Sequence, residues 1–430
     1  MTNMATMDRR ALMAFMAAMA VPGSALARAV TSGDLTNVKA MMDKYVGGKI
    51  LPGMVYGVRR LGEPPAYLSE GTLDFDTPIK CAPNSIFRVY SMTKPTIGVA
   101  AMQLIEQKKI KLDTPVADIL PEFKNMRVLN NPGPGGSLTD TRPATKPILI
   151  KHLLTHTAGL SYSIGRGPLA EAYIKEGITP GSRDRGKAPG ANQAAVTNLK
   201  EFSERLSKMP LNREPGTAWE YAVGIDLMGY IIQVIEKKPL WQYMQEHVFR
   251  PLKMVDTDFI VPKDKVDRFA SVYATQNGKQ VKVDDRLNSP FTRDRDLPSG
   301  GGGLVSTAVD YLRFTTALVN QGSLDGARIL KPDSVELMRT NLMPGGVFFG
   351  GRNGYGAAVA VVLPGGERPG GEPASSYWWF GIAGTQMWID PLNKLSAVLM
   401  IQQNPTTVPV QQEVRVATYK DLATVPKGKA

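Results

Sequence analysis

Cysteine and histidine are scarce in this chain of 430 residues, which contains one cysteine and three histidines. The single cysteine, Cys81, excludes an internal disulfide, and a chain of this length buries enough apolar surface to fold without one. Because no histidine lies near Cys81 in the sequence, we interpret it as a core residue and not as a nucleophile. His152 and His156 are four residues apart, but no Glu-rich or Cys-rich partner follows at ligand spacing, so we predict no metal site.

The sequence also lacks the glycine-rich loops that bind nucleotides. It contains no Gly-x-x-x-x-Gly-Lys-Ser/Thr loop and no Gly-x-Gly-x-x-Gly that opens a helix. The glycine run Gly300–Gly303 is followed by residues 304–306, whose pattern is typical of a strand or turn. We therefore interpret the run as a tight passage of the backbone and predict no cofactor.

Long runs of one charge are absent as well. The formal net charge is +12, and removal of residues 1–27, which carry two arginines and one aspartate, leaves +11. Acidic and basic residues are interleaved, as in residues 264–268, and no zinc-finger or RNA-binding motif is present. This pattern is typical of a solvated, mildly basic surface, so nucleic-acid binding is not predicted.

No segment after residue 27 is apolar enough to be a membrane helix. Residues 8–10 are charged, residues 11–21 are apolar, and residues 25–27 read Ala-Leu-Ala, with small residues at the first and third positions, which is the order of a bacterial export signal. We therefore predict a periplasmic or secreted protein whose mature chain begins near Arg28, without stable membrane insertion. The paired arginines within residues 8–10 leave both the twin-arginine and the general secretory route open.

Strand-like and helix-like patterns occur in blocks. Short strands are predicted before residue 88, helices and loops occupy the middle, and strand-like runs return near the C-terminal end. This order predicts an α+β fold in one domain, residues 28–430. Its sheet is expected from about 28–88 and 300–430, with a helical insertion at about 89–299. Within that insertion, residues 162–198 are rich in Gly, Pro, Arg and Asn, and loops this long are often functional.

Ser91-Met92-Thr93-Lys94 is the one Ser-x-x-Lys tetrapeptide in the chain. We predict that it opens a helix running to about Lys108. Residues three apart on a helix share a face, so Lys94 would lie one turn from the Ser91 hydroxyl. A serine hydroxyl is a weak nucleophile until a base lies beside it. The tetrapeptide therefore predicts an activated serine.

With four further motifs, the chain resembles the serine β-lactamase-like hydrolases, specifically the class C β-lactamase branch. In chain order these motifs are Leu-Leu-Thr-His-Thr-Ala-Gly-Leu (153–160), Pro-Gly-Thr-Ala-Trp-Glu-Tyr (215–221), Ser-Gly-Gly-Gly-Gly-Leu-Val-Ser-Thr (299–307) and Trp-Phe-Gly-Ile-Ala-Gly-Thr (379–385). The resemblance covers essentially the whole mature chain. It implies an antiparallel sheet flanked by helices plus a mostly helical domain, with the active site between them.

The resemblance also implies roles for individual residues. Ser91 is expected to be the acylated nucleophile, with Lys94 and Tyr221 as its acid-base pair. The backbone N–H groups of Ser91 and Ile382 are expected to form the oxyanion hole. His156 is interpreted as a structural residue that holds a loop by hydrogen bonds.

Two departures from the β-lactamase pattern bear on the substrate. Tyr-x-Asn is replaced by Tyr221-Ala222-Val223, and Lys-Thr-Gly by Trp379-Phe380-Gly381. An indole and a phenyl ring cannot pair with a substrate carboxylate. The Trp-x-Gly version resembles the family VIII carboxylesterases, so Trp379, Phe380 and Gly381 are expected to bind a small-molecule ester.

Three hypotheses follow from these motifs. The first is an exported esterase for short acyl esters, in which water usually accepts the acyl group but an alcohol also can, as in a transesterase. The second is an amide hydrolase such as a β-lactamase or D-aminopeptidase. The third is a binding protein that kept the fold, against which the joint retention of Ser91, Lys94 and Tyr221 speaks. The sequence leaves the oligomeric state open.

Overall fold

The computed structural model describes residues 29–182, 186, 188–345, 349–351 and 353–425. The predicted export signal, residues 1–27, and the predicted mature start at Arg28 lie outside this part of the chain. The described strands, β1 to β15 in chain order, are Gly53–Arg60, Ala66–Gly71, Phe87–Arg88, Arg127–Leu129, Thr141–Pro143, Val272–Gln276, Lys279–Asp284, Val305–Ser306, Ser323–Leu324, Ala327–Arg328, Gly354–Tyr355, Ala360–Val361, Tyr377–Phe380, Gln386–Asp390 and Leu395–Met400.

The described α-helices, α1 to α10 in chain order, are Thr36–Gly47, Thr93–Glu106, Ile150–Leu154, Pro168–Lys175, Leu199–Leu206, Gly224–Glu236, Leu240–Met244, Ala308–Val319, Pro332–Met338 and Val410–Ala423. One of these elements, α4, lies within residues 162–198, which the sequence predicted as a long loop. The region 162–198 is therefore not a single loop, because the apolar residues Leu169 and Tyr173 of α4 are buried in the core.

The main sheet has seven antiparallel strands in the order β11-β12-β13-β14-β15-β1-β2. The N-terminal end of the chain supplies β1 and β2, and the C-terminal end supplies the other five strands. The central strands are buried on both faces, as in β15, where all six residues are buried, whereas five of the six residues of the edge strand β2 are half-buried. The predicted α+β class, with an antiparallel sheet, is confirmed.

Helices cover both faces of this sheet. On one face α1 packs against α10, and the Asp421 carboxylate of α10 accepts hydrogen bonds from the backbone N–H groups of Asn37 and Val38 in the first turn of α1. These contacts satisfy N–H groups that a helix start leaves without intrahelical partners. On the other face α8 packs on β1, β14 and β15. The two chain ends are thereby joined into one core.

The middle of the chain forms the mostly helical part beside the sheet. Its helix α2 packs against α6, which also contacts α3 and α5. The turn that precedes α2 contacts β13 at the edge of the sheet region. Within the described residues, no helix combines the length and the apolar character needed to cross a membrane. The sheet and the helical part of the chain therefore meet where the turn before α2 contacts β13.

Candidate active site

Ser91 lies in a 3-10 turn, Tyr90–Met92, between β3 and α2. The helix predicted to open at Ser91 begins two residues later, at Thr93, and ends at Glu106. Tyr90 has a φ angle of 43°, in a region that residues other than glycine seldom adopt. The turn is anchored because the Tyr311 hydroxyl donates to the Met92 carbonyl at 2.5 Å. An unusual backbone conformation is thus fixed directly beside the Ser91 side chain.

The structure brings Ser91, Lys94 and Tyr221 together. The hydroxyl oxygens of Ser91 and Tyr221 are 2.6 Å apart, and the Lys94 ammonium donates to Ser91 Oγ at 3.3 Å. Lys94 is fully buried and also donates to the Gly301 carbonyl at 2.6 Å. Both Lys94 and Tyr221 are therefore within proton-transfer distance of the Ser91 hydroxyl.

Asp226, in the first turn of α6, is a buried carboxylate close to this group. Its Oδ1 accepts hydrogen bonds from the Ser299 hydroxyl at 2.6 Å and from the Gly301 amide at 2.9 Å. Burial raises the pKa of Asp226, while the charge of Lys94 and these hydrogen bonds oppose the rise. Asp226 thus fixes the loop whose Gly301 carbonyl holds Lys94, a contribution that the sequence motifs did not reveal.

The glycine at position 301 is required by this arrangement. A Cβ atom there would lie 2.2 Å from Asp226 Oδ2, which is far inside van der Waals contact. Asp226 is fixed on α6, so the carboxylate cannot simply withdraw. The structure therefore agrees with the interpretation of Gly300–Gly303 as a tight passage of the backbone.

Aromatic side chains surround the ring of Tyr221. Ring centroids of His156, Tyr162 and Trp379 lie 4.8, 5.4 and 5.9 Å from that of Tyr221. The Lys94 Nζ lies 4.6 Å from the same centroid, within the range of a cation–π contact. These contacts hold the phenol in the orientation that places its hydroxyl on Ser91.

The neutral side chain of His156 supports the segment that carries Tyr221. Its Nδ1 accepts a hydrogen bond from the backbone N–H of Ala222 at 3.3 Å. Burial, with a smaller effect from the charge of Lys94, lowers the pKa of His156 well below its usual value. This contact agrees with the interpretation of His156 as a residue that holds a loop by hydrogen bonds.

The backbone of Ile382 lies at the same cavity as Ser91. The Ile382 carbonyl accepts from both the amide and the hydroxyl of Thr406, at 3.2 and 3.1 Å. Its own amide donates to none of the residues that the structure describes. The amide expected in the oxyanion hole is thus available to a ligand and is held by Thr406, a residue that the motifs did not single out.

Gly381 allows β13 to approach the serine turn. A Cβ atom at this position would lie 2.4 Å from Thr385 Oγ1 and 2.5 Å from the Val89 carbonyl oxygen. Val89 immediately precedes the turn that carries Ser91. The glycine of the Trp-Phe-Gly motif therefore lets the segment that precedes Ile382 pack closely against the residue that precedes the Ser91 turn.

Trp379 and Phe380 lie on opposite faces of β13. In the strand register Trp379 is level with Met387, whereas Phe380 is level with Gln386. Trp379 is 2% exposed and packs on Tyr221, while Phe380 stacks on Trp378 at 6.0 Å. Direct substrate contact by either ring stays a prediction. The structure shows that Trp379 contacts the ring of Tyr221.

Trp378 points to the face covered by α10. Its ring lies 4.9 Å from the Arg415 guanidinium of that helix. Neighbouring residues on a strand alternate in direction, so Trp378 and Trp379 should face opposite sides of β13. Their other contacts do differ in this way, although the two rings still stack at a centroid distance of 6.1 Å.

A cavity of about 260 Å³ opens in front of Ser91. It is lined by Tyr90, Tyr162, Gly302, Ile382 and Asn404, together with segments 163–164 and 179–182. Those two segments flank α4 within the region predicted as a functional loop. The cavity could therefore admit a small ligand beside Ser91.

Elsewhere in the described chain, Cys81 is buried, and burial raises the pKa of its thiol to about 12. A thiol in that state is a poor nucleophile at neutral pH. Among the residues that the structure describes, no three His, Cys, Asp or Glu side chains form a group that would hold a metal ion. The assignment of Ser91, Lys94 and Tyr221 as the catalytic group stays a prediction, and their mutual contacts are compatible with it.

A family model described as Beta-lactamase matches residues 38–419, which is most of the chain. This chain belongs to the beta-lactamase family. An uncharacterized protein of Mycobacterium tuberculosis is 35% identical over 348 residues, covering 78% of this chain and 82% of that protein. The predicted resemblance to the serine β-lactamase-like hydrolases is confirmed.

Two further relatives point to the type of enzyme within the family. Esterase EstB of Burkholderia gladioli is 27% identical over 380 residues, covering 84% of this chain and 88% of EstB. The solved structure of EstCE1, a hydrolase with promiscuous acyltransferase activity, aligns with a TM-score of 0.74 at 25% identity, covering 90% of this chain and 99% of EstCE1. The chain is an enzyme of the esterase-type serine hydrolases.

Proposed function

We propose that this beta-lactamase family enzyme cleaves short-acyl carboxylic esters through an acyl-enzyme on Ser91, as the family VIII carboxylesterases do. The observation that carries the proposal is the contact of Ser91 Oγ with both Tyr221 and Lys94, at 2.6 and 3.3 Å. One of these groups takes the Ser91 proton while Oγ attacks the ester carbonyl. The same pair then returns a proton to the leaving alcohol.

The oxyanion that forms in this step is assigned to the amides of Ser91 and Ile382. Such preorganised donors act on charge that develops only in the transition state, so they raise kcat. Water then attacks the acyl carbonyl, Tyr221 and Lys94 accept its proton, and Ser91 leaves with a proton restored. The carboxylic acid is released and the enzyme returns to its first state.

The preference for esters over β-lactams follows from the Trp379-Phe380-Gly381 motif. A carboxylate brought to this strand loses water and gains no cation from the motif, which is costly. A neutral ester has no such penalty. We therefore expect kcat/KM for p-nitrophenyl butyrate to exceed that for nitrocefin by at least about 100-fold, or roughly 2.7 kcal/mol.

Parallel assays of these two substrates test the preference, and a serine-directed phosphonate tests the nucleophile. The phosphonate should label wild type and Ser137→Ala, a variant of an exposed loop serine, but not Ser91→Ala.

Equal kcat/KM on p-nitrophenyl butyrate and nitrocefin would favour a β-lactamase in which a cation outside the Trp379-Phe380-Gly381 motif binds the substrate carboxylate. Arg166, which is exposed near the cavity, is one candidate. Arg352, the other, lies outside the described residues.

A second candidate is acyl transfer to an alcohol instead of water. It is favoured by the similarity to EstCE1, whose description includes acyltransferase activity. The same acyl-enzyme would serve both reactions, because only the acceptor of the acyl group differs. Butyl butyrate formed from p-nitrophenyl butyrate and butanol, measured against free butyrate, would give the partition between the two.

The proposal includes export. The support is the order of residues 8–27, with a cleavage site after residue 27. N-terminal sequencing of the active protein from its native host tests this, with a mature start at Arg28 as the expected result. An active form that retains Met1 would contradict it.

A further inference from the structure

Four aromatic side chains near Tyr221 carry buried polar atoms that no described residue satisfies. They are Nε2 of His156, the hydroxyl of Tyr355 and the indole nitrogens of Trp219 and Trp379. His156, Tyr355 and Trp379 are each 2% exposed or less. Buried polar groups nearly always have a partner, so four such atoms in one region call for an explanation.

These four residues form one group, which we name the Tyr355 cluster. The Tyr355 ring centroid lies 5.5 Å from His156, 6.1 Å from Trp219 and 5.2 Å from Trp379. His156 and Trp219 are 5.9 Å apart. Trp219, Trp379 and His156 all contact the ring of Tyr221 as well. The cluster therefore lies directly behind the acid-base tyrosine.

Donors outnumber acceptors in the Tyr355 cluster. His156 Nδ1 accepts from the Ala222 amide, so the proton of the neutral imidazole lies on Nε2. An indole nitrogen donates and never accepts. Three groups are thus obligate donors, and the Tyr355 hydroxyl is the one oxygen among them. The four side chains cannot satisfy each other.

We propose that the Tyr355 cluster is an internal binding site for at least two ordered water molecules. A water oxygen accepts two hydrogen bonds, so three obligate donors need two waters, and the Tyr355 oxygen accepts one of the water hydrogens. Internal waters commonly bond about three polar groups in this way. The four groups carry no net charge, and an anion bound among them would lack a counter-charge, so water fits better.

The waters give the cluster a positioning role for Tyr221. His156 and Trp379 support the Tyr221 ring, and each has a polar atom that the waters would fix. Loss of a water would loosen these supports and shift the Tyr221 hydroxyl from Ser91. We expect this shift of the Tyr221 hydroxyl to lower kcat. The cavity in front of Ser91 is unchanged, so KM should stay the same. The site itself is independent of the proposed ester reaction, because diffraction detects it without an activity assay.

A crystal structure of the mature chain at about 1.5 Å resolution or better tests the proposal. We expect density for at least two waters within about 3.2 Å of the four polar atoms, with at least three of these atoms bonded. A dry cluster, or polar atoms bonded to one another, would overturn it. This result stands whether or not the protein cleaves esters.

Tyr355→Phe supplies a second test, because it removes one oxygen and little volume. If the hydroxyl bonds water, the variant leaves that water a partner short, and we expect a lower Tm and a several-fold lower kcat with KM unchanged. Tyr377→Phe is the matched control, since Tyr377 is a buried tyrosine of β13 outside the cluster. Its kcat should match wild type. An unchanged or higher Tm and an unchanged kcat for Tyr355→Phe would show an unhydrated hydroxyl and refute the proposal.

Discussion

The phenolic oxygen of Tyr221 lies 2.6 Å from Ser91 Oγ, although 130 residues separate them in the chain. The two are brought together because α6, which follows Tyr221, packs on α2, which follows Ser91. Lys94 lies on the first turn of α2 and reaches the same oxygen. Lys94 and Tyr221 thus both contact Ser91 Oγ, so a change in either residue alters the hydrogen bonds of the Ser91 hydroxyl.

Lys94→Ala and Tyr221→Phe should each lower kcat/KM for p-nitrophenyl butyrate by about 10²-fold or more, because each removes a proton acceptor for Ser91. The double variant should be little worse than the worse single variant, since groups that act as a unit are strongly non-additive. A double-mutant cycle on kcat/KM measures this. Losses that multiply independently would show that the two residues act in separate steps.

Gly381→Ala should lower kcat by about 10²-fold, because its Cβ would push the Ile382 amide away from Ser91. The loss of one oxyanion donor costs on this order in other hydrolases. Gly47→Ala is the matched control, since a Cβ there meets nothing within 4 Å. Steady-state kinetics of both variants would decide. A wild-type kcat for Gly381→Ala would exclude the Ile382 amide as a donor.

Linear motifs predicted much of this site. Ser91 and Lys94 are three residues apart, so a helix turn alone brings them together. The positions of Tyr221 and Ile382 came from their motifs, because nothing in their local sequence gives a distance to Ser91. The fold class followed from the order of strand-like and helix-like segments, and the sheet confirms it.

The supporting residues could not be predicted in the same way. Asp226 and Thr406 act through backbone groups of distant segments, and an isolated Asp or Thr carries no sequence signal for such a contact. The direction of Trp379 toward Tyr221 depends on the register of β13 against its neighbours. Register is set by tertiary packing, so a single sequence leaves it undetermined.

Asp74 should make the stability of the fold depend on pH below about 4. Burial opposes the effect, but hydrogen bonds from Lys282, Ser271 and Tyr273 lower the pKa of Asp74 to about 2. A carboxyl whose pKa is lower in the folded than in the unfolded chain stabilises the fold at pH values above its unfolded pKa of 3.8. This stabilisation is lost as the pH falls toward the folded pKa of about 2. Asp74→Asn should lower Tm at pH 7 and flatten its fall between pH 4 and 2.

Thermal unfolding of the wild type and Asp74→Asn across pH 2 to 7 measures this effect. Asp76→Asn is the control, because Asp76 also pairs with Lys282 at 3.0 Å but its side chain is 77% exposed. Exposed ion pairs contribute little to stability, so the dependence of Tm on pH should be the same for Asp76→Asn as for the wild type. Parallel profiles for wild type and Asp74→Asn would mean that another group controls the acid transition.

Asp226→Asn should separate the charge of this carboxylate from its hydrogen bonds. Both hydrogen bonds, from Ser299 and Gly301, end on Oδ1, and an amide oxygen can accept both. The variant therefore keeps the loop in place but removes the buried counter-charge of Lys94. This leaves the buried Lys94 side chain without a nearby opposite charge, so Asp226→Asn should lower Tm by more than Ser299→Ala, which keeps the charge and loses one hydrogen bond. Thermal unfolding of the two variants and the wild type measures this difference. Equal losses of Tm in the two variants would show that Asp226 acts through the loop alone.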